Sequence, residues 1–537
     1  MYYVHSLREK NEIYSVAQKR QLIAIRSQRM LNKIRQARQG LGMEDDTNNP
    51  EAVPGAGGSN GSAAGGSNET TPAVVDKVAA AADSAVDDAS EAGESVVEDS
   101  EVIEELDDAK AALEEICEDM RISLQNGGMN PDMARMAKRY ADRTLARVGM
   151  ANPIPSCEAF GGFGDRFVAT SVSLEAIGDA IKNIWEKIKT WFNSMWKNIR
   201  TYWQKVWDAA PKLKARAEAL RKKADGLGGK NATEKQIDVG TDVVKKLHNN
   251  SGKLPTVQEM TGVMEKVSQF TQLLFGDYYA QALKFAEHYG DELAKVNEPT
   301  ASAIGAIALS DGDLASPASV LKTKAGSLLK ESTEAKEKFA GSSEVSVSDS
   351  LFGGQVLAVA TFATGVGLAD DPTTGGDGEP KQGEPKQGEP KPASTGGSGT
   401  AAKFNSFGKN TVKLMTLLEK SPEVSEATMA TMALGDVQKL CDEVIKLCDS
   451  ISAYRKDWEM AEKAQAKIMR AGDNFSRAAG KSTEKGGDDV SAATAAVKLT
   501  KTAGEWIAQP NQNFSRYAME SAKAVLMVCD KSLAQYS

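Results

Sequence analysis

The sequence is poor in the residues that build catalytic centres. Aromatic side chains make up 6 % of its 537 residues, and the three histidines are His5, His248 and His288. The histidines are far apart and belong to no HxH, HExxH or His-Cys cluster, and there is no GxSxG motif, no Walker loop and no GxGxxG followed by a helix. We therefore predict that the protein is not an enzyme and has no catalytic residue, no metal site and no cofactor.

The five cysteines form no CxxC pair. An odd number without such pairs argues against a disulfide framework and against a zinc ribbon. Cys441 and Cys448 are seven residues apart and would share one helix face. We interpret them as buried free thiols rather than as a pair of metal ligands.

Long apolar runs are also missing. Residues 1–40 contain basic side chains but no continuous apolar core, so they do not form a secretory signal. No run reaches the roughly 18 apolar residues that a membrane span requires. The nearest candidate, residues 354–369, is interrupted by threonines and glycines and predicts a buried strand pair. These patterns predict a soluble protein that is intracellular or enclosed in a particle.

The most informative feature that is present is a division of charge at one boundary. Residues 1–175 carry a formal charge of −11, and the whole-chain charge of −9 leaves +2 for residues 176–537. Two copies of the pattern Ser-x-Glu-Ala lie at this boundary: Ser156, Cys157, Glu158 and Ala159, and Ser173, Leu174, Glu175 and Ala176. We interpret the arrangement as a removable acidic pro-region in front of a nearly neutral mature protein.

The predicted pro-region has several parts. Residues 1–43 are basic with helical spacing of apolar residues, which predicts a helix that docks on an acidic protein or nucleic acid, or is simply solvated. Residues 44–100 are acidic and rich in Gly, Ser and Ala, which predicts disorder. Residues 101–158 form the helical end of the pro-region. Residues 159–175 are the cleavage junction, predicted to be loop-like and therefore accessible to a protease.

The strongest predicted element follows the junction. Residues 176–208 place a broad apolar face on one side of a helix, with basic residues beside it. Five of the seven tryptophans lie on this face: Trp185, Trp191, Trp196, Trp203 and Trp207. We favour the interpretation that the face packs on the helices that follow. The alternative is a membrane-binding or partner-binding helix, because indole rings settle at the level of the lipid headgroups.

The remainder predicts a mainly α fold, a helical bundle with a small β-hairpin insertion. Residues 176–370 hold the tryptophan helix, a helical domain and the hairpin, which we place at 343–369. Residues 371–402 repeat Gly-Glu-Pro-Lys and predict a disordered linker. Residues 403–537 return to helices, with a heptad register from Val437 to Trp458. We expect the two sides of the linker to join one bundle. Further helices are predicted at 213–227, 239–248, 257–275, 278–296 and 318–339.

Ser-x-Glu alone is a weak signal, because it occurs seven times in the chain. The four-residue form with alanine begins at Ser156, Ser173 and Ser332. The third copy falls inside a predicted helix, whose folding would protect it. Position at the charge boundary is what distinguishes the first two copies.

The acidic pro-region, the Ser-x-Glu sites and the helical mature region resemble the internal head proteins of giant phiKZ-like tailed phages. The closest stretch is Ser173-Leu174-Glu175-Ala176-Ile177, which runs directly into the tryptophan helix. The resemblance implies that a prohead protease cuts after the glutamate. It also implies that the mature protein stays inside the capsid with the genome, and it leaves open whether some copies are ejected into the host. Accessibility favours Glu158 as the cleavage site, whereas the likeness to the family favours Glu175.

Charge gives this function an independent rationale. An acidic segment can engage basic partners during assembly but repels DNA that enters a closed shell, and the near-neutral remainder would contact packaged DNA at most weakly. The expected partners are the prohead protease and other capsid-interior proteins, in the host cytoplasm during assembly and afterwards in the virion. Two alternatives stay open: a membrane-active effector that uses the tryptophan helix, and an assembly scaffold that acts through the pro-region.

Overall fold

A computed structural model describes residues 72–151, 154, 160, 163–310, 312–363, 397–418, 420, 422, 427–480 and 487–536. The chain divides into two compact units. Among the described residues, unit 1 comprises residues 95–197, and unit 2 comprises residues 72–94 together with residues 198–536. The predicted basic helix at 1–43 and the Glu-Pro-Lys repeats lie outside the described residues.

The described part of unit 1 is helical. Its helices are the second part of α1 (Pro72–Gln125), α2 (Pro131–Arg147) and the first part of α3 (Phe163–Gly226). Asn130 caps α2 by accepting a hydrogen bond from the backbone N–H of Met133 at 2.8 Å, which satisfies a donor that has no partner within the helix. Each helix buries an apolar face, to which Leu113, Leu145 and Ile188 belong.

Unit 2 is also mainly helical in its described residues. It contains residues 72–94 of α1, the second part of α3, and α4 (Thr241–Leu247), α5 (Val257–Leu273), α6 (Tyr279–Lys295), α7 (Ala301–Gly305), α8 (Pro317–Ala325), α9 (Thr333–Glu337), α10 (Gly397–Gly408), α11 (Leu434–Ala453), α12 (Trp458–Gly480) and α13 (Gly487–Leu533). The long helix α13 packs against α6, α10 and α12. Helices from both sides of the linker therefore share one bundle, as expected.

The predicted hairpin is part of a larger antiparallel sheet. Its strands are β2 (Leu329–Glu331), β3 (Glu344–Ser348), β4 (Gln355–Thr361) and β5 (Thr411–Thr416), in the order β2-β3-β4-β5, while β1 (Gln236–Asp238) pairs with β6 (Thr428–Ala430). Val345 of β3 lies opposite Ala360 of β4, and Val359 lies opposite Val412 of β5. Because β5 follows the linker, the linker and α10 connect two neighbouring strands of one sheet.

The disorder expected for residues 44–100 does not hold for residues 72–100, which are helical in α1. Acidic side chains such as Asp88 and Glu91 are exposed, whereas Ala82, Val86 and Ala89 are buried on another face. Alanine loses little conformational entropy in a helix. Since small apolar residues recur every three or four positions, packing stabilises a helix that composition alone does not predict.

Helix α3 is longer than the predicted tryptophan helix at both ends. It begins at Phe163 rather than Ala176, so the part of the junction after that residue is helical and not loop-like. It also continues through Pro211 to Gly226. Proline removes one helical hydrogen bond, but the side chains of Ala210 and Leu213 beside it are fully buried. Packing on this face compensates for the missing bond.

Two other boundaries differ from the sequence-based expectation. The helix expected at 318–339 is divided into α8, β2 and α9, because Gly326 takes a positive φ of 51° and ends α8 there. Residues 397–402, expected in the linker, belong to α10. The hydroxyl of Thr400 donates to the carbonyl of Ala301 at 3.2 Å, so this part of the expected linker is attached to α7.

The predicted heptad register is buried. Val437, Leu440, Val444, Leu447 and Ile451 are all inaccessible to solvent, and Tyr454 and Trp458 are nearly so. Cys441 and Cys448 are free and buried beside them, as we interpreted. Burial raises the pKa of the Cys448 thiol to about 12, so this sulfur is an unreactive thiol at neutral pH.

Asn410 joins the sheet to two helices. Its side-chain amide donates to the carbonyl of Phe407 at 2.7 Å and accepts from the backbone N–H of Phe362 at 2.9 Å. Its own carbonyl accepts from the indole N–H of Trp506 at 2.9 Å. Because Asn410 is buried, water cannot replace it as the hydrogen-bond partner of Phe362, Phe407 and Trp506.

Replacing Asn410 by alanine is expected to lower the free energy of unfolding by about 1–3 kcal/mol, because the N–H of Phe362 loses its partner in a buried place. Chemical denaturation followed by circular dichroism measures the change. Asn405→Ala, at an exposed position of α10 shortly before Asn410, is the control and should shift stability by less than about 0.5 kcal/mol. Equal losses in the two variants would show that Asn410 has no special role.

Candidate processing junction and buried tryptophan face

The second Ser-x-Glu-Ala copy lies inside α3. Ser173 is buried, and its hydroxyl donates to the carbonyl of Ala169 at 2.7 Å. Glu175 is exposed but lies well after the helix start at Phe163, not in a loop-like junction as expected. The Glu175–Ala176 bond is therefore helical, and a protease that requires an extended substrate would have to unwind this part of α3.

The first copy, Ser156 to Ala159, lies outside the described residues, but described residues on both sides of it are anchored in unit 1. Ile154 and Phe160 are buried. The carbonyl of Ile154 accepts from the ammonium group of Lys138 at 2.9 Å. The carbonyl of Phe160 accepts from the side chain of Arg166 at 3.2 Å. The first candidate bond therefore lies between two buried residues, Ile154 and Phe160, that are close in sequence and held by hydrogen bonds.

The third copy is part of folded structure. Ser332 caps α9 by accepting from the backbone N–H of Ala335 at 3.1 Å, and Ala335 is fully buried. The helix is shorter than the one expected at 318–339, but it contains the Glu334–Ala335 bond. That this bond is protected from the protease stays a prediction.

The tryptophan face of α3 is largely buried. Trp196, in unit 1, and Trp203, in unit 2, are 8 % and 0 % exposed. Trp185, Trp191 and Trp207 are half-buried. The burial of Trp196 and Trp203 is what packing requires, because a face that binds a membrane or a partner would present its indole rings to solvent. The three half-buried tryptophans do not decide between the two interpretations.

Trp203 is the centre of an aromatic cluster in unit 2. Its ring centroid lies 4.7 Å from that of Tyr454, 5.3 Å from Tyr202, 5.7 Å from Phe275, 5.9 Å from Trp207 and 6.1 Å from Trp458. Two of these pairs, with Tyr202 and Phe275, are edge-to-face, a geometry that aromatic quadrupoles favour. The indole N–H of Trp203 is buried without a hydrogen-bond partner, so its placement depends on apolar contact alone.

A π-helical turn brings Phe275 into this cluster. The turn, Leu274–Tyr278, lies between α5 and α6 and shifts the side chains that follow it. Phe275 stacks on Tyr454 with centroids 4.7 Å apart. The hydroxyl of the next aromatic, Tyr279, donates to the carbonyl of Asp457 at 2.8 Å. Burial raises the pKa of the Tyr278 phenol far above its usual value, so it stays neutral.

A surface groove of about 850 Å³ borders the cluster in unit 2. Arg455 lies over the ring of Trp207, 5.7 Å from its centroid, and the indole N–H of Trp458 donates to Glu462 at 3.2 Å. The lining residues are Arg200, Gln204, Trp207, Asp208, Arg455, Trp458, Glu459, Glu462, Lys463 and Ala466. Its three basic and three acidic side chains balance in charge, and its lining includes no serine, cysteine or histidine.

The two histidines that the structure describes, His248 and His288, each lie close to an oxygen atom of a neighbouring group, whereas His5 lies outside the described residues. The Nδ1 atom of His248 lies 2.8 Å from the carbonyl of Asn249, and Nε2 of His288 lies 3.3 Å from the carboxylate of Asp313. Across the part of the chain that the structure describes, no group of three or more His, Cys, Asp or Glu side chains could hold a metal ion. No described helix is long and apolar enough to cross a membrane.

The family model of the phiKZ-like phage internal head proteins matches residues 81–531 of the chain. The chain belongs to this family. No curated protein and no solved structure matches it significantly. The internal head protein is thus a structural component of a phage virion, and its family places it in the capsid interior. That it lacks enzymatic activity stays a prediction.

The family match also includes most of the acidic helix. It begins at residue 81, within α1 and well before either candidate cleavage site. From the sequence we assigned α1 to a removable pro-region, and residues 72–94 were expected to be disordered. The signal that was available is the spacing of Ala82, Val86, Ala89 and Gly93, which places small residues on one helix face.

Replacing Trp203 by alanine in the internal head protein is expected to cost about 3–5 kcal/mol of stability, as for other buried aromatic side chains. Trp185→Ala removes the same side chain from a half-buried position of the same helix and should cost clearly less. Denaturant unfolding measures both. Unchanged stability of the Trp203 variant, together with loss of binding to lipid vesicles, would instead support the membrane-binding interpretation.

Proposed function

We propose that the internal head protein is made as a precursor, cleaved by the prohead protease of its phage, and kept in the capsid interior beside the packaged genome. Membership of the internal head protein family carries this proposal. The two Ser-x-Glu-Ala copies at the charge boundary supply the processing sites, Glu158–Ala159 and Glu175–Ala176. The partners are the protease and other proteins of the capsid interior, with packaged DNA contacted weakly.

Glu158–Ala159 is the bond that we propose is cut first. A protease requires a substrate that can be extended in its active site, and helices protect the bonds within them. The Glu175–Ala176 bond lies in α3, where Ser173 is buried. Cleavage there requires the start of α3 to unwind, which a first cut at Glu158 would make easier by freeing its N-terminal end.

Charge supports a role for the cut in maturation. Residues 1–158 carry a formal charge of −10, and residues 1–175 carry −11. Separating this charge covalently from the remainder reduces electrostatic repulsion between the protein and DNA that enters the shell. The remainder is nearly neutral, so it can lie beside the genome without binding it strongly.

The N-terminus and intact mass of the protein in purified particles test this proposal. We expect a chain that begins at Ala159, or at Ala176 after a second cut. The Glu158→Gln variant should block the first cut, and Glu175→Gln should leave it unchanged, because the protease is expected to require a glutamate at the cut.

A chain that still begins at Met1 in particles would refute the maturation proposal. A control is Glu334→Gln in the third Ser-x-Glu-Ala copy, which α9 protects; it should leave the fragment pattern unchanged. If the two junction variants are processed normally as well, the cut lies elsewhere and both proposed sites are wrong.

A further inference from the structure

Residues 72–94 of α1 pack into unit 2 on a surface formed by α3 and α13. We call this the docking surface and define it by Tyr202, Lys205, Arg216, Gln512 and Lys523. The face of α1 that it receives consists of small residues: Ala82 and Ala85, Val86, Ala89 and Gly93, all buried. A helix with such a face can approach its neighbours closely.

Two acidic residues of this helix pair with buried cations. Asp83 accepts from the guanidinium of Arg216 at 2.5 Å, and the side chain of Arg216 is 4 % exposed. Asp87 accepts from the ammonium group of Lys523 at 2.7 Å, and that side chain is 11 % exposed. A buried charge that loses its partner is strongly destabilising. The docking surface therefore requires an acidic partner.

Backbone contacts add to these pairs. The side-chain amide of Gln512 donates to the carbonyl of Gly93 at 2.9 Å in a buried position. The ammonium groups of Lys205 and Lys523 donate to the carbonyls of Asp88 and Asp83 at 3.2 and 3.3 Å.

Gly93 fits the docking surface because it has no side chain. A Cβ atom at this position would lie 3.1 Å from the ring of Tyr202 and 3.1 Å from the side chain of Arg516. The hydroxyl of Tyr202 is itself held, donating to the carbonyl of Gln512 at 3.0 Å. The ring of Tyr202 cannot easily move aside, so the close approach requires glycine.

We propose that residues 72–94 stay bound to the docking surface as a separate peptide after the chain is cut behind them. This inference rests on the proposed function, which supplies a cut at Glu158 or Glu175. The segment itself carries a formal charge of −5, and the fragment 1–158 to which it belongs carries −10, so acid that the cut separates covalently remains in place. Proteolysis then breaks the covalent link between residues 72–94 and the rest of unit 2, but this helical segment stays in its place.

An engineered cut tests this retention without the prohead protease. A site-specific protease sequence is inserted in the full chain between Asn126 and Gly127, which are exposed in the turn after α1. After cleavage, we expect the N-terminal fragment to co-elute with the remainder in size exclusion at physiological salt. Hydrogen exchange should show that the amides of residues 80–94 stay protected, and it reports them separately from residues 95–125.

The matched variants are Asp83→Asn with Asp87→Asn, and Asp88→Asn with Glu91→Gln. The first pair should speed exchange of amides 80–94 in the cut protein by about ten- to a hundredfold, since it removes the negative charges with which the buried cations pair. The second pair removes the same charge from the exposed face and should have little effect. Continued protection of α11 in each variant shows that unit 2 is folded.

Exchange of amides 80–94 at the rate of a free peptide after the cut would overturn the inference, even if residues 95–125 hold the fragment. Equal effects of the two variant pairs would also overturn it, because the buried cations would then not select the helix. Failure of the proposed function is distinguishable: particles that contain uncut chain refute processing, whereas particles with cut chain but no peptide from residues 72–94 refute retention alone.

Discussion

The packing of Trp203 is the interaction on which unit 2 depends. This one ring touches aromatic rings from α3 itself, from the π-helical turn after α5, and from the connection between α11 and α12. A large rigid side chain at such a place fixes three separate stretches of chain at once, and it does so in a protein whose aromatic content is 6 %. Its indole N–H is left without a partner. Apolar contact must therefore outweigh the cost of burying an unsatisfied donor.

The apolar face of α3 is broad because two adjacent residues, Tyr202 and Trp203, are both buried but contact different parts of unit 2. Successive residues of a helix point about 100° apart. Trp203 lies in the aromatic cluster. The hydroxyl of Tyr202 forms hydrogen bonds with Gln512 and Ser515 of α13, and its ring lies close to Gly93. A narrow apolar stripe on α3 could not contact both the aromatic cluster and the surface that holds Gly93. The same face that builds the core of the bundle therefore also builds the place where the acidic helix is held.

Periodicity predicted the parts of this fold in which large apolar residues repeat. The heptad from Val437 to Trp458, helices α5 and α6, and the β3-β4 hairpin agree with the sequence-based expectation, because each buries large side chains at a regular spacing. Residues 72–94 of α1 could not be found that way, since their buried face is made mostly of alanine and glycine. The partners of this segment also lie more than 100 residues away in sequence. The position of Glu175 within α3 was missed because no signal for a helix start precedes Phe163.

The acidic composition of the N-terminal region thus combines two kinds of carboxylate. Asp83 and the largely exposed Asp87 pair with buried cations, while Asp88 and Glu91 are exposed to solvent. A cut at Glu175 leaves residues 176–537 with a formal charge of +2. Residues 72–94 bring the sum to −3 when they are bound, and the whole fragment 1–175 brings it to −9. The sign decides how the mature body meets packaged DNA, because an acidic body is repelled and a slightly basic one is attracted. Retention of the acidic helix would then offset part of the reduction in repulsion that the cut provides, and it would keep the protein from adhering to the genome.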